Sequence, residues 1–351
     1  MAKGFSEIPG FSDALPGGGT QLVPSLSAVA QDELRLSGND RYATSAGVVT
    51  AFCAVECPAV LTTKPDVLPG PIVELFNNLL KSKAECGPDE PGFQCVAGHT
   101  IGTIFVIGGT SAVSPAVEAA LAKFGTVTRI QGDNRYATAL AVAGRMTLAT
   151  SRTAIITTGG NFPDALAAGP LSLCANAPIL LNTPKAGLRA DVQKFITDNM
   201  ISKVYVIGGT AVVSPDVDSA LVKLGVTVQR LAGSSRAGTA VKIAEEMESP
   251  SGCGLVPVGV VLVNCDGFAD ALSAGSLAAK AQSPILCAKK SGLPQETSDY
   301  LKKFKTVTGS IAPVITIGGP NVIPNSVIVE ANGIVGGHCV HIRADRADTD
   351  G

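Results

Sequence analysis

An α/β fold built on parallel sheets with helices on both faces is what this sequence predicts, on three observations. Strand-like apolar runs alternate with helix-length segments along the chain. Those runs are apolar throughout rather than alternating, the pattern of strands buried on both sides. The alternation is also written three times at a spacing of about 100 residues, too long for a solenoid unit and the size of a small domain.

An opening box marks each copy. Its fullest version is Arg129-Ile130-Gln131-Gly132-Asp133-Asn134-Arg135-Tyr136-Ala137-Thr138. The box occurs upstream as Arg35-Leu36-Ser37-Gly38-Asn39-Asp40-Arg41-Tyr42-Ala43-Thr44 and downstream as Arg230-Leu231-Ala232-Gly233-Ser234-Ser235-Arg236-Ala237-Gly238-Thr239. A closing box repeats as Ile107-Gly108-Gly109-Thr110, Ile207-Gly208-Gly209-Thr210 and Ile317-Gly318-Gly319-Pro320. Residues 1–34 then form an N-terminal extension, 35–128 the first repeat, 129–229 the second and 230–351 the third.

In the second copy, Val127 to Ile130 reads as a short β-branched strand, and Asp133 or Asn134 caps a helix running to Thr147. Thr153 to Thr158 is a buried strand broken by Gly159 and Gly160. Asp164 starts a helix to about Ala175, followed by a strand at Pro178 to Leu181 and a helix at Leu188 to Asn199. Val204 to Gly208 is the next strand, and Ser214-Pro215 opens a helix to Lys223, with proline at a tolerated first-turn position. The third copy keeps this order, with strands at Val258 to Asn264, Ser283 to Leu286 and Val314 to Gly319, and adds a loop at Ser249 to Gly254.

The first copy diverges. Ala59 to Thr63 is taken as the counterpart of Thr153 to Thr158, and Asp66 as that of Asp164, so one strand–helix pair is lost and a cysteine loop gained. A rival pairing of Pro58 to Leu61 with Pro178 to Leu181 needs two large opposing gaps. The tail, His341 to Thr349, is a shortened echo of the opening box. Each unit's last strand would then come from the start of the next box, with the tail closing the third sheet.

Composition bounds the function. The chain has 351 residues, 46% apolar and only 16% charged, so its surface leans on small polar residues, as in secreted or wall-exposed proteins. A net charge of −2 argues against nucleic-acid binding. No apolar run is long enough to span a membrane. Met1 to Glu33 has one lysine and no continuous apolar core, so it is not a signal peptide as written. Nine cysteines include no C-x-x-C pair. Cys86 and Cys95 close a Pro/Gly-rich loop and are the disulfide candidates, whereas Cys174 on an apolar helical pattern reads as a buried free thiol.

Catalytic motifs are thin: there is no P-loop, no nucleophile elbow and no zinc-protease motif. His338-Cys339-Val340-His341 is a weak metal candidate, because alternate strand residues face opposite ways. No metal or cofactor is expected. The repeated polar groups are arginine, aspartate and glycine. Arg35, Arg41, Arg129, Arg135, Arg230 and Arg236 are candidates to grip an anion by paired hydrogen bonds, or else to pair with Asp66, Asp164 or Asp270 across a copy boundary. Those three aspartates begin helices and read as caps. The glycines Gly108, Gly109, Gly208, Gly209, Gly318 and Gly319 stand at strand-to-helix junctions, where free N–H groups can receive an anion, or where glycine merely satisfies a tight turn.

In combination, R-[IL]-x-G-x-x-R-Y-A-T, F-P-D-A-L-A-A-G, A-P-I-L-L and V-I-G-G-T-x-x-V-S resemble the cell-wall-binding repeat 2 family of Gram-positive surface proteins. The likeness covers Arg35 to about Arg346. It implies three Toprim-like or flavodoxin-like parallel-sheet modules in a pseudo-threefold arrangement, at the cell surface, attached non-covalently to an anionic secondary wall glycopolymer. Copy one lacks a clear A-P-I-L-L, and copy three has Ala237 where the motif has tyrosine. Family members often carry an autolysin, protease or adhesin domain as well. Met1 to Leu34 is too short for one, so the expectation is a non-catalytic anchoring module, with a self-assembling surface-layer or filament subunit as the alternative. Purified protein that sediments as ordered particles without polymer would favour the alternative.

Overall fold

The computed structural model describes residues 33–37, 59–61, 66–70, 72–73, 76–77, 103–146, 148, 152–160, 163–267, 269–308, 314–336 and 339–342. Its strands fall into three four-stranded sheets. The first holds β1 (Glu33–Ser37), β2 (Ala59–Leu61), β3 (Thr103–Ile107) and β4 (Thr126–Ile130). The second holds β5 (Thr153–Thr158), β6 (Ile179–Asn182), β7 (Lys203–Ile207) and β8 (Thr227–Leu231). The third holds β9 (Val260–Asn264), β10 (Ile285–Ala288), β11 (Val314–Ile317) and β12 (Cys339–Ile342). In each, the first strand lies between the second and third, the fourth follows at the edge, and every pairing is parallel.

The edge strands show how the opening box is used. Arg129 lies on β4, paired with β3, so the start of the second box completes the first sheet. Arg230 on β8 completes the second sheet, and the tail strand β12 stands at the same place in the third.

Pairing register corrects the reading of the first copy. Arg35 stands opposite Ala59 and Phe105, as Ile155 stands opposite Ile179 and Tyr205. The strand equivalent to Thr153–Thr158 is therefore Glu33–Ser37, not Ala59 to Thr63, and Ala59–Leu61 takes the place of Ile179–Asn182, as in the rival pairing. The first sheet still has four strands because its own box strand fills the central place, so the first copy is one strand–helix pair shorter than the second, as expected under either pairing. Short apolar runs look alike in sequence, and only the cross-strand partner decides which one occupies the centre.

Helices cover the sheets: α1 (Pro115–Leu121), α2 (Arg135–Ala143), α3 (Pro163–Ala167), α4 (Gly169–Cys174), α5 (Ala190–Asp198), α6 (Pro215–Lys223), α7 (Arg236–Glu248), α8 (Ala269–Lys280), α9 (Gln295–Thr308) and α10 (Asn325–Val335). One face of the second sheet, Ala154, Ile156, Leu180, Val204 and Val206, packs on Val192 and Ile196 of α5 and Val217 and Leu221 of α6. The other face, Ile155, Ile179, Tyr205 and Ile207, shares one core with α4, α7 and the third sheet. Burying each such aliphatic side chain contributes about 1.5–3 kcal/mol, so this shared core binds the two units firmly. Helix α2 plays a similar bridging part. Its Val142 packs with Phe105, Ile107 and Ile130 of the first sheet, while Ala143 joins the core of the second.

Cysteine pairing also departs from expectation. Cys174, at the end of α4, is bonded to Cys253 in the extra loop after α7, with Cα atoms 5.9 Å apart and a sequence separation of 79. It is not a free thiol, because the third copy's added loop folds back onto the second copy's helix. Cys265 and Cys287 form a second bridge, joining the end of β9 to its neighbour β10. Cys86 and Cys95 lie outside the described residues. Among the described residues no helix is long and apolar enough to cross a membrane.

Candidate functional site

The repeated arginines and glycines meet at the carboxyl ends of the strands, and the two arginines of the second and third boxes do different things there. The leading arginine projects from an edge strand into the Gly-Gly turn of its own sheet. Arg129 donates from Nη1 to the Gly108 carbonyl at 2.6 Å and from Nη2 to the Val113 carbonyl at 2.8 Å. Its Nε and Nη2 also reach Glu118 of α1, at 3.1 and 2.8 Å. Arg230 repeats the arrangement. It donates to the carbonyls of Gly208 at 2.7 Å and Val213 at 3.1 Å, and its Nε and Nη2 grip the Asp218 carboxylate of α6. These side chains are only 10% and 19% exposed, so both guanidinium groups are spent holding strand, turn and helix together.

The box glycine and threonine are equally local. A Cβ on Gly132 would lie 2.5 Å from the Ala137 carbonyl carbon, and one on Gly233 2.3 Å from that of Gly238. Glycine is required because the loop runs against the helix that follows it. The Gly132 and Gly233 N–H groups donate to the buried hydroxyls of Thr138 and Thr239, each at 3.1 Å.

The following arginine is the first residue of the box helix, and it stays at the surface. Arg135 Nη1 donates to the Gly159 carbonyl just past β5, at 2.7 Å. Arg236 Nη1 donates to the Cys265 carbonyl just past β9 at 3.2 Å and to Asp266 at 3.1 Å. The Arg236 side chain is 45% exposed. Each of these arginines is pinned by one nitrogen at the end of a central strand, with donors left over among the described contacts.

The Gly-Gly turns are strained towards glycine at their first position. Gly108, Gly208 and Gly318 have φ of 121°, 109° and 134°. At Gly208 a Cβ would also fall 2.9 Å from Asp164 Oδ2 and 2.8 Å from Val212 Cγ2, whereas Gly209 and Gly319 face open space. The N–H groups of Gly108 and Gly208 are taken by the carbonyls of Ile130 and Leu231.

Asp164 and Asp66 do not stand at helix N-cap positions. Asp164 lies inside the first turn of α3, with its carboxylate against the Gly208 turn. Burial pushes that carboxyl above its usual range, and the positive charge of Arg236 from the next copy pulls it back. Asp66 lies in an exposed bend, with helical backbone beginning only at Gly70. The caps are Ser114, Asn134, Ser214 and Ser235, whose side chains accept from first-turn N–H groups. The side chains of Arg35 and Asp270, and all of Arg41, lie outside the described residues. No group of three His, Cys, Asp or Glu side chains converges as a metal site among the described residues.

The family described as Cell wall binding domain 2 matches residues 129–218 and 230–328. N-acetylmuramoyl-L-alanine amidase LytC of Bacillus subtilis (strain 168) is 32% identical over 202 residues, which is 58% of this chain and 38% of the amidase. The Amidase enhancer of the same organism is 33% identical over 203 residues, 58% of this chain and 26% of that protein. Among solved structures, Cwp8 from Clostridium difficile aligns with a TM-score of 0.69 at 21% identity, covering 89% of this chain and 50% of Cwp8. Cwp6 from the same organism gives 0.62 at 19%, covering 88% and 46%. This chain thus spans about half or less of each of these relatives, and the likeness to the two solved structures is one of fold.

Proposed function

Because the chain belongs to the cell wall binding domain 2 family, we propose that it is a non-catalytic attachment module, located at the cell surface, that holds an anionic secondary polymer of the wall. The observation that carries this reading lies inside the matched segments. Two copies each keep an exposed arginine pinned at the carboxyl end of a central strand, while the leading arginine is consumed by the fold. The carboxyl ends of parallel strands, where strand order reverses, are where open α/β sheets receive ligands. Arg135 and Arg236 would supply the cationic contacts, joined by Arg41 if the first copy follows suit. Arg129 and Arg230 act indirectly, by shaping the turns at Gly108–Gly109 and Gly208–Gly209. The Gly318–Gly319 turn repeats the left-handed first glycine of the other two, whereas Arg35, on central strand β1, stands at a different place in its sheet from Arg129 and Arg230. Several weak contacts on one chain add through effective concentration.

The common strand order supports the further reading that the three sheets are Toprim-like units in a pseudo-threefold arrangement. The amidase activity in a relative's name belongs to a protein of which this chain matches little more than a third.

Co-sedimentation with wall sacculi from a panel of Gram-positive species, before and after acid extraction of secondary polymers, tests the reading. Pelleting that disappears on extraction and weakens with salt is the expected result. No pelleting with any preparation would overturn it.

A further inference from the structure

Repetition leads one to expect equivalent copies, but the surroundings of the following arginine differ between the second and third. In the second copy, Tyr136 comes next, and its half-exposed ring lies along Gly159, where an added Cβ would meet Cε1 at 2.4 Å. The guanidinium carbon of Arg189, the residue before α5, stands 4.3 Å from the centre of that ring. Asp191 accepts from Arg189 Nε and Nη2 at 3.0 and 2.7 Å, and the Thr183 hydroxyl accepts from Nη1 at 3.2 Å. Three of the five guanidinium N–H groups are thereby used, and two remain. Arg135 reaches the same Gly159 through its carbonyl. One guanidinium thus holds the Gly159 carbonyl and the other lies over the ring that packs on Gly159, and Asp191 pairs with the second of them.

The third copy has buried Ala237 in place of Tyr136. Pro294 stands before α9 as Arg189 stands before α5, its carbonyl accepting from Ser298 N as that of Arg189 accepts from Gln193 N. Carboxylates occupy this counterpart. Asp266 pairs with Arg236, and Glu296 accepts from the Ser235 hydroxyl at 2.6 Å, a bond that holds its carboxyl below the usual range, with Lys289 nearby adding to the effect.

We propose that Arg135, Tyr136 and Arg189 form a subsite for a sugar residue bearing a carboxylate or phosphate, present in the second copy, whereas in the third Asp266 and Glu296 occupy its counterpart and leave Arg236 as the weaker contact. The ring holds the Arg189 guanidinium flat by a cation–π contact, and Asp191 and Thr183 fix its rotation. Its remaining N–H groups, with those of Arg135, are then preorganised for a planar or tetrahedral oxyanion, whose hydrogen bonds to guanidinium are charge-assisted. This inference rests on the attachment reading above and adds that the copies bind unequally.

The test uses a sacculus preparation that retains the wild-type chain. Tyr136→Ala with Arg189→Gln removes the ring and the guanidinium while keeping the backbone N–H that donates to Asn182 Oδ1. Binding weakens about tenfold, its salt dependence becomes shallower, and the melting temperature stays within a few degrees. Should the double variant not fold, Arg189→Gln alone carries the same expectation of weakened binding. Asp266→Asn with Glu296→Gln strengthens binding about twofold. Second-copy variants that bind like the wild type, or third-copy variants that lose as much as the second-copy ones, overturn the subsite while leaving attachment intact. If no preparation retains the wild type, attachment falls and the subsite with it.

Discussion

Arg230 and Arg236 are six positions apart in one motif, yet one is part of the scaffold and the other part of the surface. Arg230 leaves an edge strand beside a turn whose carbonyls point at it, so its donors are consumed by Gly208, Val213 and Asp218. Arg236 opens a helix, where the chain has turned outwards, and only one nitrogen finds the end of β9. Arg129 and Arg135 repeat the division. The chemistry of a repeated residue does not reveal its task; the element it leaves from does.

The largest expected effect falls on the scaffold side. Arg230→Ala removes a partly buried guanidinium and strands the carboxylate of Asp218. Urea unfolding is expected to show a loss of about 2–3 kcal/mol, since leaving a hydrogen-bonded charge without its partner costs more than the pair contributes. A loss no larger than that of an ordinary surface substitution would erase the contrast between the two arginines.

Within the turn that Arg230 holds, the two glycines sharpen the same contrast. Gly208→Ala must adopt a left-handed φ with Asp164 and Val212 in the way, at a cost of about 2 kcal/mol. Gly209→Ala meets open space and should shift the melting midpoint hardly at all. Equal effects at the two positions would contradict the described turn.

On the surface side, Arg135→Ala with Arg236→Ala is expected to change stability by less than about 1 kcal/mol, because exposed pairs contribute little. Retention on sacculi should nonetheless fall about tenfold, a little over 1 kcal/mol of binding.

The smallest effect links the two sides. The folded state raises the Asp164 carboxyl above its ordinary 3.8 through burial, so the folded chain holds that proton more tightly than the unfolded chain. This group's contribution to stability is therefore lost as the pH rises from the unfolded value through the folded one. Asp164→Asn should flatten that part of the stability–pH curve, as seen in urea midpoints from about pH 4 to pH 7. An unchanged slope would mean that Asp164 is not the group responsible.

Much of this architecture is legible in the chain. Strand-like runs such as Thr153 to Thr158 and helix openings such as Asn134 and Ser214-Pro215 announce themselves through local chemistry, and they fall where expected. What escapes is non-local. Which short apolar run is central in the first sheet depends on the partners of Arg35, not on the run itself. Cys174 finds Cys253 only because an added loop folds back across a sequence separation of 79. The carboxylate partners of the leading arginines, Glu118 and Asp218, lie on the preceding helix outside both repeated boxes. Arg189 carries no motif at all, and nothing short of the folded position of Tyr136 marks it.

The most direct measurement places the two arginine pairs side by side. Arg129→Ala with Arg230→Ala, and Arg135→Ala with Arg236→Ala, would each be assayed for thermal melting and for retention on sacculi carrying their secondary polymers. A lowered melting temperature is expected for the first pair, and for the second pair wild-type melting with retention about tenfold weaker. A second pair that pellets as well as the wild type would contradict the account.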